Sequence, residues 1–238
     1  MAPSFDVLAR AAVETHRISV PTLVQAAQGT LTSQICDERL DQWSARLLRQ
    51  AGIRLEVTGT ENLVHGEPFI VMSNHQSHYD IPTLYQALKI PLRMVAKKEI
   101  FRIPFMAGAM RAAGFVEIDR KDPQRAIRAL RMAHAQLGDA VSLWIAPEGT
   151  RSKTGRLGTF KKGGFHLAVD GGMRILPVAI DGTRFALPAG GITVTRGATA
   201  HVTILPAIDS AAYVGRLGEL VKVVRKTISD ALPPSIRD

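Results

Sequence analysis

The spacing of hydrophobic positions changes along this chain. Leu40, Trp43, Leu47 and Leu48 recur at helical intervals, and Gly52 closes that run. Residues 1–50 therefore read as helical. From residue 53 the period shortens to two, and "IRLEVTG" (53–59) alternates like a half-buried strand. "PFIVMSN" (68–74) is a short continuous apolar run, the pattern of a strand buried on both faces. Asp80 and Pro82 then mark a helix start, with residue 88 its expected end. Alternation continues with a strand "LRMVAKK" (92–98), a helix over 103–114 ended by Gly114, and a strand "FVEID" (115–119). A helix opened by Pro123 (123–137) and a strand "AVSLWIAP" (140–147) follow. Beyond a Gly-rich basic loop (148–164) come a short helix "GGFHLAVDGG", strands "RILPVAI" and "ATAHVTILP", and a last helix over 212–232.

Strands that alternate with helices predict an α/β fold: a mixed, mostly parallel central sheet flanked by helices. The first 50 residues are expected to form an N-terminal helical appendage, and residues 51–238 the α/β domain. At 238 residues the chain is long enough for a substantial core.

Charge adds a partner class. The net charge is +9, and it is uneven. Between Arg93 and Arg131 ten Lys/Arg face four acids, and between Arg151 and Lys162 five bases face none. Such surface calls for an anionic partner. Nucleic acid is not expected, because aromatics make up 5% of the chain and no stripe of Arg and aromatic residues occurs. The single cysteine, Cys36, excludes an internal disulfide framework and suits a reducing compartment. The first residues lack the continuous apolar stretch of a secretory signal. The uncharged run 18–36 is broken by Pro21 and Gly29 and by many polar residues, so no membrane span is expected.

Three polar stretches stand at predicted strand ends, where reactive residues collect in α/β sheets. They are "SNHQSHYD", "EIDRKD" and "APEGTRS". In the first, His75 and Asp80 have the make-up of a base and the carboxylate that fixes its tautomer. Five residues of regular helix would turn them about 140° apart, so they can meet only with His75 in the loop before the helix and Asp80 in its first turn. Asp80 also suits a helix cap. His78 adds a metal-ligand alternative, although the spacing lacks the helix face that zinc enzymes show. Arg120 and Arg151 suit bidentate phosphate recognition. Gly149 and Thr150 offer backbone N–H groups to an anion. Glu148, alone among these bases, suits pairing with Arg151 or holding an acceptor hydroxyl. Neither a phosphate-cradling Gly-x-x-x-x-Gly-Lys-Ser/Thr loop nor a Gly-x-Ser-x-Gly elbow is present. A base without a side-chain nucleophile implies direct activation of a substrate hydroxyl.

In their order, these motifs resemble those of the glycerolipid acyltransferases, above all the lysophosphatidate acyltransferases. "NHQSHYD" matches the family's Asn-His-x-Ser-x-x-Asp at Asn74, His75, Ser77 and Asp80. "GFVEIDR" matches its second motif at Gly114, Ile118, Asp119 and Arg120. "APEGTRS" matches its third with Ala146 in place of Phe, and "ILPVAI" its fourth. "KKEI", with Lys98, is also similar. The resemblance covers residues 53–208. It implies acyl transfer from acyl-CoA or acyl carrier protein to the sn-2 hydroxyl of 1-acylglycerol 3-phosphate, giving phosphatidic acid. His75 and Asp80 would be catalytic. Arg120, Glu148, Gly149, Thr150 and Arg151 would bind the phosphate, and Asn74, Ser77 and Lys98 would support them. No cofactor or metal is implied. The implied partners are a lysophospholipid, the acyl donor and an anionic membrane surface, with the protein cytoplasmic and peripheral on the inner face of the membrane. Another hydroxyl acceptor, or lipid binding without catalysis, are the alternatives.

Overall fold

The computed structural model describes residues 3–4, 6–64, 66–119, 128, 132 and 141–237. Two long helices come first, α1 (Asp6–Ala27) and α2 (Ser33–Gln50). The Thr32 hydroxyl caps α2 by accepting from the Ile35 N–H at 3.2 Å. The sheet is built from β2 (Arg54–Thr58), β3 (Ile70–Ser73), β4 (Leu92–Lys97), β5 (Val116–Ile118), β6 (Ser142–Ile145), β7 (Ile175–Asp181) and β9 (Thr199–Ile204). Among the described residues its order is β2-β9-β7-β3-β6-β4-β5. All neighbours are parallel except β7 and β9. The helices between strands are α3 (Asp80–Leu88), α4 (Met106–Ala112), α5 (Gly163–Asp170) and the short α6 (Thr183–Ala186), and α7 (Leu217–Ala231) follows β9. A small ribbon pairs β1 (Pro3–Ser4) with β8 (Val194–Thr195).

The buried central strands place alternate residues in two cores. Ile70 and Met72 of β3 face α5 and α7 and pack with Phe165, Leu220 and Val224. Phe69 and Val71 face the other layer and pack with Leu84 and Leu88 of α3 and Leu40 of α2. The N-terminal helices thus share the main core. Fully buried Arg93 of β4 fastens them further, donating to Asp37 and to the Ser33 hydroxyl of α2.

Several boundaries differ from the sequence pattern. The 103–114 helix is shortened to α4, because Pro104 lies before it and Phe105 takes a positive φ of 61°. The final helix starts at Leu217, after Gly215 turns the chain at φ 77°. The helix expected over 123–137 lies outside the described residues.

Topology places the site. The chain leaves β3 toward β4 on one side and leaves β6 toward β7 on the other. β3 and β6 are neighbours, so a crevice opens at their carboxyl ends, where connections diverge.

Candidate active site

β3 delivers Asn74 to Tyr79 into that crevice before α3 begins. Asn74 is buried and stitched to β7: its amide donates to the Ile180 carbonyl at 2.7 Å, and its side-chain oxygen accepts from the Ile180 N–H at 2.8 Å. The Ser77 hydroxyl donates to the Leu187 carbonyl at 2.7 Å. His75 lies in the loop and Asp80 is the first residue of α3, so the two side chains meet: Nδ1 of His75 is 2.7 Å from Oδ2 of Asp80. A carboxylate only accepts, so Nδ1 carries the hydrogen. The same oxygen accepts from the backbone N–H of Gln76 (2.7 Å) and Ser77 (2.9 Å). Asp80 therefore reaches back into the loop, and the helix-cap role read from its position does not occur; Tyr79 occupies the cap position without a side-chain bond. Trp144 of β6 sets its ring edge-on to His75 at 5.4 Å.

The loop after β6 holds the backbone of His75 from both sides. Oε1 of Glu148 accepts the His75 N–H at 2.8 Å, and the Ser152 N–H donates to the His75 carbonyl at 2.7 Å. Oε2 of Glu148 accepts from the Gly158 N–H at 2.8 Å. Burial pushes the Glu148 carboxyl up, against the pull of these two amides. The Glu148 carboxylate is thus engaged by two backbone amides and ties two loops together. The Gly149 N–H donates to the Ala146 carbonyl at 3.0 Å and closes a turn. Thr150 is exposed and Arg151 half-buried, and both line the cavity beside His75.

That cavity measures about 710 Å³, within the range of small-molecule sites. Ile81, Met94, Phe115, Trp144 and Phe160 supply apolar wall; Lys97, Arg151, Lys161 and Lys162 supply positive charge. Ala146, the departure from the third motif, also lines it. Lys98 pairs with Asp119 at 2.5 Å and braces the end of β5, while its neighbour Lys97 faces the cavity. Arg120 lies outside the described residues. His78 lines the cavity with part of its surface open to solvent; desolvation by the surrounding protein and then the Arg151 charge push it down to about 4. Among the described residues no group of three His, Cys, Asp or Glu is arranged to hold a metal.

A protein-family model described as Acyltransferase matches residues 54–181. The chain belongs to the acyltransferase family. Its relatives include the chloroplastic 1-acyl-sn-glycerol-3-phosphate acyltransferase LPAT1 of Arabidopsis thaliana, 33% identical over 75% of this chain and 49% of the relative. The 1-acyl-sn-glycerol-3-phosphate acyltransferase of Saccharomyces cerevisiae is 31% identical over 88% of this chain and 75% of its own. The chain spans about half the length of the plant relatives it matches. A solved structure, the 1-acyl-sn-glycerophosphate acyltransferase PlsC of Thermotoga maritima, superposes with a TM-score of 0.72 at 28% identity, covering 93% of this chain and 94% of that one. The first and third motifs meet at the backbone of His75, which bonds the Glu148 carboxylate and the Ser152 N–H. Strand patterning gave no sign of those bonds. It also missed Trp144, Lys97 and Lys161, whose place at the cavity follows from the β3–β6–β4 order and from the fold of the basic loop.

Proposed function

We propose that this acyltransferase moves an acyl group from a thioester, acyl-CoA or acyl carrier protein, to the sn-2 hydroxyl of 1-acylglycerol 3-phosphate, forming phosphatidic acid. The observation that carries this reading is the His75–Asp80 pair at 2.7 Å beside a cavity with apolar walls and cationic residues. With Nδ1 engaged, Nε2 is the ring nitrogen that accepts the hydroxyl proton. The hydroxyl oxygen attacks the thioester carbonyl and forms the new C–O bond. The C–S bond breaks, and the thiolate leaves with the proton from His75. Asp80 stabilises the imidazolium between these steps. The apolar wall receives acyl chain. Arg151 and Thr150, with Arg120 from the second motif, take the phosphate, and Glu148 and Gly149 shape the loop that presents them. The reaction as written uses no cofactor or metal, and no nucleic acid takes part.

The lipid acceptor lies in a membrane. Among the described residues no helix is long and apolar enough to cross one. We propose that the protein is cytoplasmic and peripheral on an anionic inner face, with α1 as the docking element. That helix buries Val7 against the core together with Glu14, Ser19 and Thr22, and exposes Val13, Val20 and Val24.

The test is an acyl-transfer panel, lyso-lipids with and without phosphate crossed with acyl-CoA and acyl carrier protein, with products identified by mass. Phosphatidic acid from lysophosphatidate is the expected product. Preference for another hydroxyl acceptor would move the assignment to that lipid, and binding without any transfer would leave a lipid-binding module.

A further inference from the structure

Beyond β7 the chain turns back on the first motif. Gly182 makes that turn at φ 91°, and a Cβ there would stand 1.9 Å from the Thr199 carbonyl oxygen. The turn aims Thr183, fully buried, at Asp80, 103 residues earlier in the sequence. Its hydroxyl donates to Oδ1 of Asp80 at 2.5 Å. Among the described residues Thr183 is the partner of Oδ1, whereas Oδ2 serves His75 and two amides.

We infer that Thr183 is a positioning residue that orients the Asp80 carboxylate and sets how tightly the Asp80–His75 pair holds a proton. The inference rests on the acyl-transfer reading for its catalytic meaning. The physical reason is twofold. The hydroxyl fixes the plane of the carboxylate, and so the direction of the His75 ring. It also draws electron density from Oδ1 and makes Asp80 a weaker partner for an imidazolium. The other charged groups near the pair stay in place when Thr183 is changed. They are His78 in the same loop, Glu148 and Arg151 after β6, and Lys97 at the end of β4. Behind them, Arg184 donates to Gln76 at 3.2 Å and pairs with Asp181 at 2.7 Å.

Thr183→Val removes the hydroxyl and keeps the shape. Loss of the hydrogen bond to Oδ1 should move the midpoint of the His75 ring signals upward in pH. The titration is followed by NMR in the full chain, the ring signals being assigned by their disappearance in His75→Gln. The acid limb of kcat/KM should move up by the same amount, and Thr183→Ser should restore both. If Thr183→Val does not fold, Thr183→Ala is read in the same way. A midpoint that stays at the native value in a folded variant, even with a lower melting temperature or maximal rate, would make Thr183 merely structural and overturn the inference. The NMR reading needs no turnover. Failure of the native protein to transfer acyl groups would therefore sink the proposed function and leave this test standing.

Discussion

His75 is held at its backbone N–H by Glu148, at its carbonyl by Ser152, and at its ring by Asp80. Replacing the ring alone, His75→Ala, should lower kcat by about 10²–10⁴-fold, the usual worth of a positioned base, with little change in melting temperature. Glu148→Gln removes a different support. One of its two amide partners, His75 N–H or Gly158 N–H, would then face an NH₂ group, and the loop should loosen; a loss of about tenfold or more in kcat/KM is expected from 1–3 kcal/mol of unsatisfied hydrogen bonding. Native-like kinetics of Glu148→Gln would show that the clamp is dispensable. His78 carries a pH prediction. Its folded value is about 4 against an ordinary 6.5, so the unfolded chain binds more protons between those values. The small contribution of the exposed His78 to stability is fully present above pH 6.5 and shrinks as pH falls toward 4. His78→Gln should shrink the drop in urea midpoint between pH 7 and pH 4.5. The contrast among these residues explains what the sequence made legible. The His75–Asp80 spacing states its chemistry directly. Glu148 does not, because its role is set by two backbone N–H groups, which every residue but proline carries.

At the scale of elements, period and strand ends were readable because burial on both faces writes itself as continuous apolar runs, as in β3 and β7. Helix limits were less readable where backbone conformation, not hydrophobicity, decides them: Phe105 and Gly215 cut two helices short through positive φ. The order of strands was not written in any local pattern, and with it went the meeting of the first motif with residues 180–187. Gly182 is where that meeting is most exposed to test. Its φ of 91° and the Thr199 carbonyl leave no room for a side chain. Gly182→Ala should destabilise the protein by about 2–4 kcal/mol, the range of a strained backbone site with a steric clash, seen as a lower urea midpoint. It should also reduce kcat, because Thr183 would lose its aim on Asp80. An unchanged midpoint would mean that the turn relaxes freely.

The whole molecule carries an asymmetry of surface on its first helix. Val13, Val20 and Val24 share one face of α1 with Arg17, since they stand at helical spacing from one another. Phe105, 63% exposed, lies beside this face, its ring 6.5 Å from that of His16. The inner face of this helix packs Val7, Leu8, Ala11 and Ile18 on the core and also turns polar residues toward α2, where Arg39 donates to the Thr22 hydroxyl at 3.0 Å and Trp43 to the Thr15 hydroxyl at 3.1 Å. Apolar residues flanked by arginine are suited to the boundary between headgroups and acyl chains. Each buried valine is worth about 1.5 kcal/mol, so exchanging Val13 and Val20 for aspartate together should cut binding to anionic vesicles at least about tenfold, with added charge repulsion deepening the loss. Because both side chains point to solvent, the melting temperature should stay within a few degrees of the native value. Activity on a monodisperse short-chain acceptor should persist while activity on vesicle-borne acceptor falls. Undiminished co-sedimentation of the double variant with anionic vesicles would remove α1 as the docking surface and leave the cationic residues around the cavity as the contact to test next.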